Sequence, residues 1–154
     1  MRWISLIFWL ALCFAVSAIG AHWTTAEIPA WYRKLNRPAF APPNWVFGPV
    51  WSMLYFLMAI AAWRVTESAA SPLRTWALVL FVAQLVLNLA WSWIYFRKHA
   101  IGAAAIEIGL LWAAIGATIL VFERVTPLAA WLMAPYLAWV SFAAVLNAAF
   151  WRLN

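Results

Sequence analysis

Charge is what this chain has least of. Only 9% of its 154 residues are Asp, Glu, Lys or Arg, against roughly 25% in a soluble domain. Aspartate is absent, and Glu27, Glu67, Glu107 and Glu123 are the only acids. No paired-carboxylate acid/base site can therefore be read from it. The single cysteine, Cys13, excludes a disulfide within the chain and leaves the compartment open. The two histidines, His22 and His99, lie far apart near expected helix ends, so no metal site is expected. No nucleophile–base motif and no phosphate loop appears, and no catalytic residue is assigned.

What is present is apolar. Hydrophobic residues make up 69% of the chain, and the mean hydropathy is +0.90. No water-soluble surface can be built from that pool, so the bilayer is the main solvent and the backbone must satisfy itself inside lipid. Alternating polar and apolar strands are missing, which argues against a barrel. The expected fold class is an all-α bundle. The net charge is +6, but its cations stand singly or in small groups between apolar runs. They suit anchoring to membrane lipid headgroups rather than nucleic acid.

About 20 apolar residues cross a bilayer, and five runs qualify: about 3–23, 44–65, 74–96, 100–122 and 127–150. They form one transmembrane domain spanning 1–154. Only the first connection, about 24–43, is long. The first run, with Arg2, an apolar centre and small residues near its end, also has the pattern of a secretory leader. Ser71-Pro72 and Thr126-Pro127 place a capping residue before a proline, a good start for helices three and five. Pro42 and Pro43 place the start of helix two at or after them. Pro49 and Pro135 fall inside runs and should kink them. Arg2, Arg64, Arg74 and Arg124 share one side. Arg33, Lys34, Arg37, Arg97, Lys98 and Arg152 share the other, which holds the first loop and the C-terminus. That richer side is favoured as cytoplasmic.

Polar residues inside the runs carry the functional signal. Gln84, Asn88, Trp91 and Tyr95 recur at helical spacing on one face of helix three. Helix two offers Trp51, Tyr55 and Met58; helix five offers Tyr136, Trp139 or Val140, Ala143 and Asn147. Such stripes serve as interhelical hydrogen-bonding glue or as the wall of a cavity. A cavity lined by flat rings suits a large, flat, apolar ligand with a few polar handles. Glu107, well inside helix four, should be protonated, paired or facing a cavity. Gly102, Gly109 and Gly116 form a small-residue ridge for close packing within the chain or for a dimer seam.

The first loop ends in RPAFAPPNWVFGPVW (37–51), a proline-stiffened, ring-studded collar at the mouth of helix two. Its prolines limit the entropy lost on ordering. Its rings can fold over the bundle mouth as a lid, or simply anchor the loop at the interface.

The stretches WYRKLNRPAFAPPNWVFGPVWSMLYF (31–56), AQLVLNLAW (83–91) and TPLAAWLMAPYLAWVSFAAVLN (126–147) resemble the translocator protein, or tryptophan-rich sensory protein, family. The match runs in the same order over nearly the whole chain. It implies a five-helix bundle, commonly a homodimer, that retains its first helix and binds porphyrins such as protoporphyrin IX or a haem-like tetrapyrrole, with no obligatory cofactor. Animal members also bind cholesterol, and synthetic benzodiazepines occupy the same cavity. Carried over by position, Trp51, Asn88, Trp91, Trp139, Ala143 and Leu146 would touch the ligand, and Tyr55 joins them from its place on the helix-two face. Trp31, Tyr32, Asn36, Pro42, Pro43 and Trp45 would form the lid. Independently of the resemblance, the reading of the runs leaves Gln84, Glu107 and Asn147 as polar groups within the membrane. Transport, stress sensing and light-driven porphyrin degradation are the roles the resemblance implies. Two departures stand out. Ala39 and Phe40 occupy positions where some bacterial members carry paired tryptophans. Ala148 replaces the central tyrosine of the animal cholesterol motif, which puts sterol binding there in doubt.

Overall fold

In a computed structural model that describes residues 2–154, five helices carry nearly the whole chain: α1 (Arg2–Ala30), α2 (Phe47–Thr66), α3 (Pro72–Ser92), α4 (Ile101–Val125) and α5 (Pro127–Leu153). Each is long and apolar enough to cross a membrane. A 3₁₀ turn, Asn44–Val46, leads into α2, and a wide π turn, Trp93–Arg97, continues α3. α1 packs on α2, α2 on α5, α5 on α4, α4 on α3, and α3 returns to α1. Alanines 59, 61, 62, 77, 104 and 129 are fully buried. With no side chain beyond Cβ, they let backbones approach closely where lipid supplies no hydrophobic drive between helices. Large apolar side chains such as Ile106, Leu120 and Trp131 cover the outside, where hydrocarbon is the solvent.

Several element ends differ from the expectation. α1 does not stop near 23 but runs to Ala30, with Pro29 in its last turn and His22 well inside it. Apolarity marks where lipid ends, not where a helix ends. The helix continues through a polar stretch in which the hydroxyls of Thr24 and Thr25 are satisfied by the carbonyls of Gly20 and Ala21, both at 2.8 Å. The first connection is correspondingly shorter. Pro49 kinks nothing within α2, because it falls in the first turn, where the backbone N–H has no intrahelical partner. Pro135 does lie inside α5. Ser71 caps α3, its Oγ accepting from the Arg74 N–H at 3.1 Å. Thr126 sits at the matching place on α5 but makes no side-chain cap.

A buried chain of hydrogen bonds ties three helices together. Tyr55 Oη donates to Asn88 Oδ1 (3.0 Å), Asn88 Nδ2 donates to Tyr136 Oη (2.7 Å), and Tyr136 Oη donates to Gln84 Oε1 (2.7 Å). Gln84 Nε2 faces Met58 Sδ at 3.8 Å. Of the glycines on α4, only Gly102 sits under a neighbour, the Trp151 ring; Gly109 and Gly116 face open space. Glu107 is buried, and neither of its carboxyl oxygens has a hydrogen-bond partner.

Tyr136→Phe removes two links of that chain and strands Asn88 Nδ2 and Gln84 Oε1. It should cost about 1–2 kcal/mol, read by denaturant titration in mixed micelles. Trp112→Phe, which loses only an exposed bond to Ser141, should cost clearly less. Equal stability of Tyr136→Phe and the parent would show that the chain carries no weight.

Candidate functional site

Above this hydrogen-bonded layer, toward the first loop, the helices enclose a cavity of about 380 Å³. Its walls come from every helix except α4. Trp51 and Tyr55 of α2 and Trp139, Ala143, Leu146 and Asn147 of α5 form one side. Asn88 and Trp91 of α3 form another, with Tyr95 and Phe96 of the π turn. In a regular helix, consecutive residues point about 100° apart; here the wide turn lets both line the cavity. Trp51 meets the Trp139 ring edge-on at 6.5 Å, and Trp91 lies 5.1 Å from Tyr95.

The remaining wall belongs to α1, through Ser17, Gly20, Ala21, Thr24, Thr25 and Ile28. These residues were not expected at the site, nor were Gly48 and Ser52 of α2, whereas Phe47, a ring of the collar, does reach it. The spacing 17, 20, 21, 24, 25, 28 is itself helical and mostly small or hydroxylic. It is the signal that could have placed α1 at the cavity, had the helix been followed past 23. Ala21, Thr25, Gly48 and Ser52 are exposed, so the cavity reaches the outer surface between α1 and α2.

No lining residue carries a formal charge. Its amides are engaged with other side chains or with backbone. Trp91 Nε1 donates to Asn147 Oδ1 (2.9 Å), and Asn147 Nδ2 donates to the Ile101 carbonyl (3.0 Å). Tyr55 and Asn88 satisfy each other at the floor. Trp139 Nε1–H is buried with no partner, while the hydroxyls of Tyr32, Tyr95, Ser52 and Ser92 and the Trp51 indole N–H line the cavity outside this set of bonds. Among the described residues no three His, Cys, Asp or Glu side chains come together as a metal site would require. Gln84 lies below the cavity, tied to Tyr136. Glu107 is neither paired nor on the lining, because α4 stands behind α3 and α5.

Residues 31–46 cross the mouth. Tyr32 is buried and lines the cavity from above, 5.3 Å from the Phe150 ring. Burial pushes its phenol above the ordinary value, while the Arg37 guanidinium, 5.5 Å from the ring, pulls the other way. Asn44 and Trp45 also line the mouth. Trp31, Asn36, Pro42 and Pro43 do not; they hold the loop in place. Trp31 stacks flat on His99 at 4.0 Å, and His99 Nε2 lies 2.9 Å from Glu27 Oε2, joining the lid to α1 and to the α3–α4 connection. Arg37 bridges the Pro42 carbonyl (2.8 Å) and Asn44 Oδ1 (3.1 Å). Asn36 and Asn154 tie the lid to the end of α5: the Asn36 N–H donates to Asn154 Oδ1 (3.0 Å), and Asn154 Nδ2 donates to the Asn36 carbonyl (3.0 Å). Phe40 packs on Phe142 and stays off the lining, and Ala148 is exposed on α5.

Five spans around a neutral, ring-lined chamber closed by a loop define an integral, multi-pass helical membrane protein with an internal cavity of ligand size. Residues 9–152 match the TspO/MBR family, and the chain belongs to that family. It is 38% identical over 152 residues to the tryptophan-rich protein TspO of Chlorobaculum tepidum, covering 94% of this chain and 92% of that one. It is 38% identical over 143 residues to the translocator protein of Homo sapiens, covering 88% and 82%. It is 36% identical over 154 residues to the tryptophan-rich sensory protein of Cereibacter sphaeroides, covering 100% and 94%.

Asn154→Ala removes two of the bonds that hold the lid to α5. Amide hydrogen exchange over 35–43 should quicken about five- to tenfold, as expected for losing roughly 1 kcal/mol of local protection. Exchange in the middle of α3 should not change. Unaltered exchange over the loop would show that other contacts hold it.

Proposed function

We propose that this protein is a membrane receptor or carrier that binds porphyrins, such as protoporphyrin IX and related haem-pathway tetrapyrroles, in the cavity beneath the lid, with a transport or stress-sensing role. The observation that carries this reading is the character of the lining: uncharged, and built of indole and phenol rings from three helices and the lid, with a few hydroxyl and N–H groups among them. A flat apolar guest gains ring contacts there without displacing charges. Arg37, held at the rim through Asn44, places a cation where an acidic substituent of the guest would emerge. The relatives named translocator and sensory proteins support the same reading.

Titration of the purified protein with protoporphyrin IX should quench tryptophan emission saturably. Trp51→Phe and Trp139→Phe should each weaken binding about two- to tenfold, the worth of one aromatic contact. Quenching that never saturates and equals that of empty micelles would overturn the reading.

A second reading is enzyme-like: light- and oxygen-dependent porphyrin degradation with tryptophans as electron donors. Four indoles, Trp45, Trp51, Trp91 and Trp139, line one cavity, which favours it. Illumination of the complex under oxygen should yield a new absorbing product faster than porphyrin in detergent does. Trp51→Phe or Trp139→Phe should slow it, compared at equal occupancy. No difference in rate from detergent alone removes this reading and leaves the receptor reading intact.

A further inference from the structure

At the end of the bundle opposite the lid, Arg2, Arg64, Glu67, Ser68 and Thr126 line a second recess, of about 340 Å³. It forms where α1 begins, α2 ends and α4 gives way to α5. The chamber under the lid does not explain it, for no residue is shared between the two. We propose that this recess binds a phosphate group, presented by the headgroup of an anionic phospholipid.

Three observations carry this. First, among the described residues the arginines of the recess, Arg2 and Arg64, are not ion-paired, although Glu67 shares its wall, and the buried Nε–H of Arg64 has no acceptor at all. A guanidinium with an unsatisfied buried donor is costly, and an anion held in the recess beside it would offset that cost through its field. Phosphate oxygens match the planar fork of guanidinium donors.

Second, the cations are already positioned. The Arg2 guanidinium lies over the Trp63 ring at 5.4 Å and the Trp3 ring at 5.9 Å, and those rings stack on each other at 6.0 Å. The Arg2 backbone carbonyl also accepts from Trp63 Nε1 at 3.0 Å. Arg74 donates to the carbonyls of Thr66 (3.1 Å) and Ser68 (2.8 Å), adding positive charge behind the recess wall. The Thr126 hydroxyl does not cap α5 and is free to donate. The opposing charge, Glu67, is turned to Ser5, whose hydroxyl donates to it at 2.6 Å.

Third, the depth is right for a headgroup. Trp3, Trp76 and Trp131 stand 64%, 63% and 75% exposed at the same end of the bundle. Indoles collect at the level of the headgroups. A recess opening there faces lipid phosphates at high local concentration, whereas free phosphate must come from dilute solution. That favours the lipid as the source, and it favours a lipid of net negative charge over one whose own ammonium would meet the arginines.

The test titrates the purified full chain in neutral detergent with phosphatidylglycerol, phosphatidylcholine or inorganic phosphate, with bound lipid read by native mass spectrometry. Preferential retention of one phosphatidylglycerol is expected. Arg64→Gln and Arg2→Gln should each weaken it about tenfold, and Arg64→Lys should restore part of the loss. Arg124→Gln removes an exposed cation at the same end that does not line the recess, and it should change little. Glu67→Gln should tighten binding, a gain that misfolding cannot produce. Competition by inorganic phosphate with the same dependence on Arg64 supports the recess and assigns it to the free ion. Equal binding by the parent and Arg64→Gln, an equal loss in Arg124→Gln, or unchanged affinity in Glu67→Gln would overturn the proposal.

Discussion

A polar side chain inside a bilayer has no water to turn to, and the shape of this protein follows from how Tyr55, Gln84, Asn88 and Tyr136 solve that problem. Each satisfies another, across α2, α3 and α5. Because a hydrogen bond tolerates only a few tenths of an ångström, the chain sets the distance and rotation of three helices at one level of the membrane. Below that level small residues and alanines close the bundle. Above it the same helices cannot meet, because tryptophans and tyrosines stand between them.

The cavity is therefore a consequence of mismatched widths. Rings from α2, α3, α5 and the lid meet edge-on or tilted rather than flat, and such arrangements leave spaces. α1 contributes Ser17, Gly20, Ala21 and Thr24 on the facing side, side chains too short to fill the gap. The lid completes the enclosure without filling it. Its prolines limit the loop's freedom, its Trp31 locks onto His99, and Asn36 anchors it to α5. Apart from Glu107 on α4, the charged side chains lie at the two ends of the bundle. At the lid end Arg37 is spent on the loop itself, on Asn44 and the Pro42 carbonyl. At the other end Arg2 and Arg64 are not, which is why the two ends invite different chemistry.

Much of this was legible in one dimension. The five spans follow from runs of apolar length, and the faces carrying Trp51 and Tyr55, Asn88 and Trp91, or Trp139 and Asn147 follow from helical spacing. Amides stranded among leucines announced that those faces turn inward. Other parts were not legible. The seven residues of α1 beyond 23 are polar enough to look like loop, yet they are helical, with the threonine hydroxyls satisfied back along the helix. Pro49 reads as a helix breaker until its place in a first turn is known. Thr126 has the residue type of a cap and the position of one, but its side chain is not used. Glu107 reads as a candidate cavity group, yet α4 lies on the far side of α3 and α5 from the cavity.

The sequence by itself determined the solvent, the number of spans and which side chains share a face, because hydropathy and a 3.6-residue period are properties of a chain read in order. The tertiary structure alone decided which faces meet. The neighbour order α1, α2, α5, α4, α3 brings α1 to the cavity and sends α4 away from it. The same order gathers Arg2, Arg64 and Thr126, far apart in the chain, around one recess. Periodicity orients a helix about its own axis but carries no information about its neighbours, and a cavity is made by neighbours.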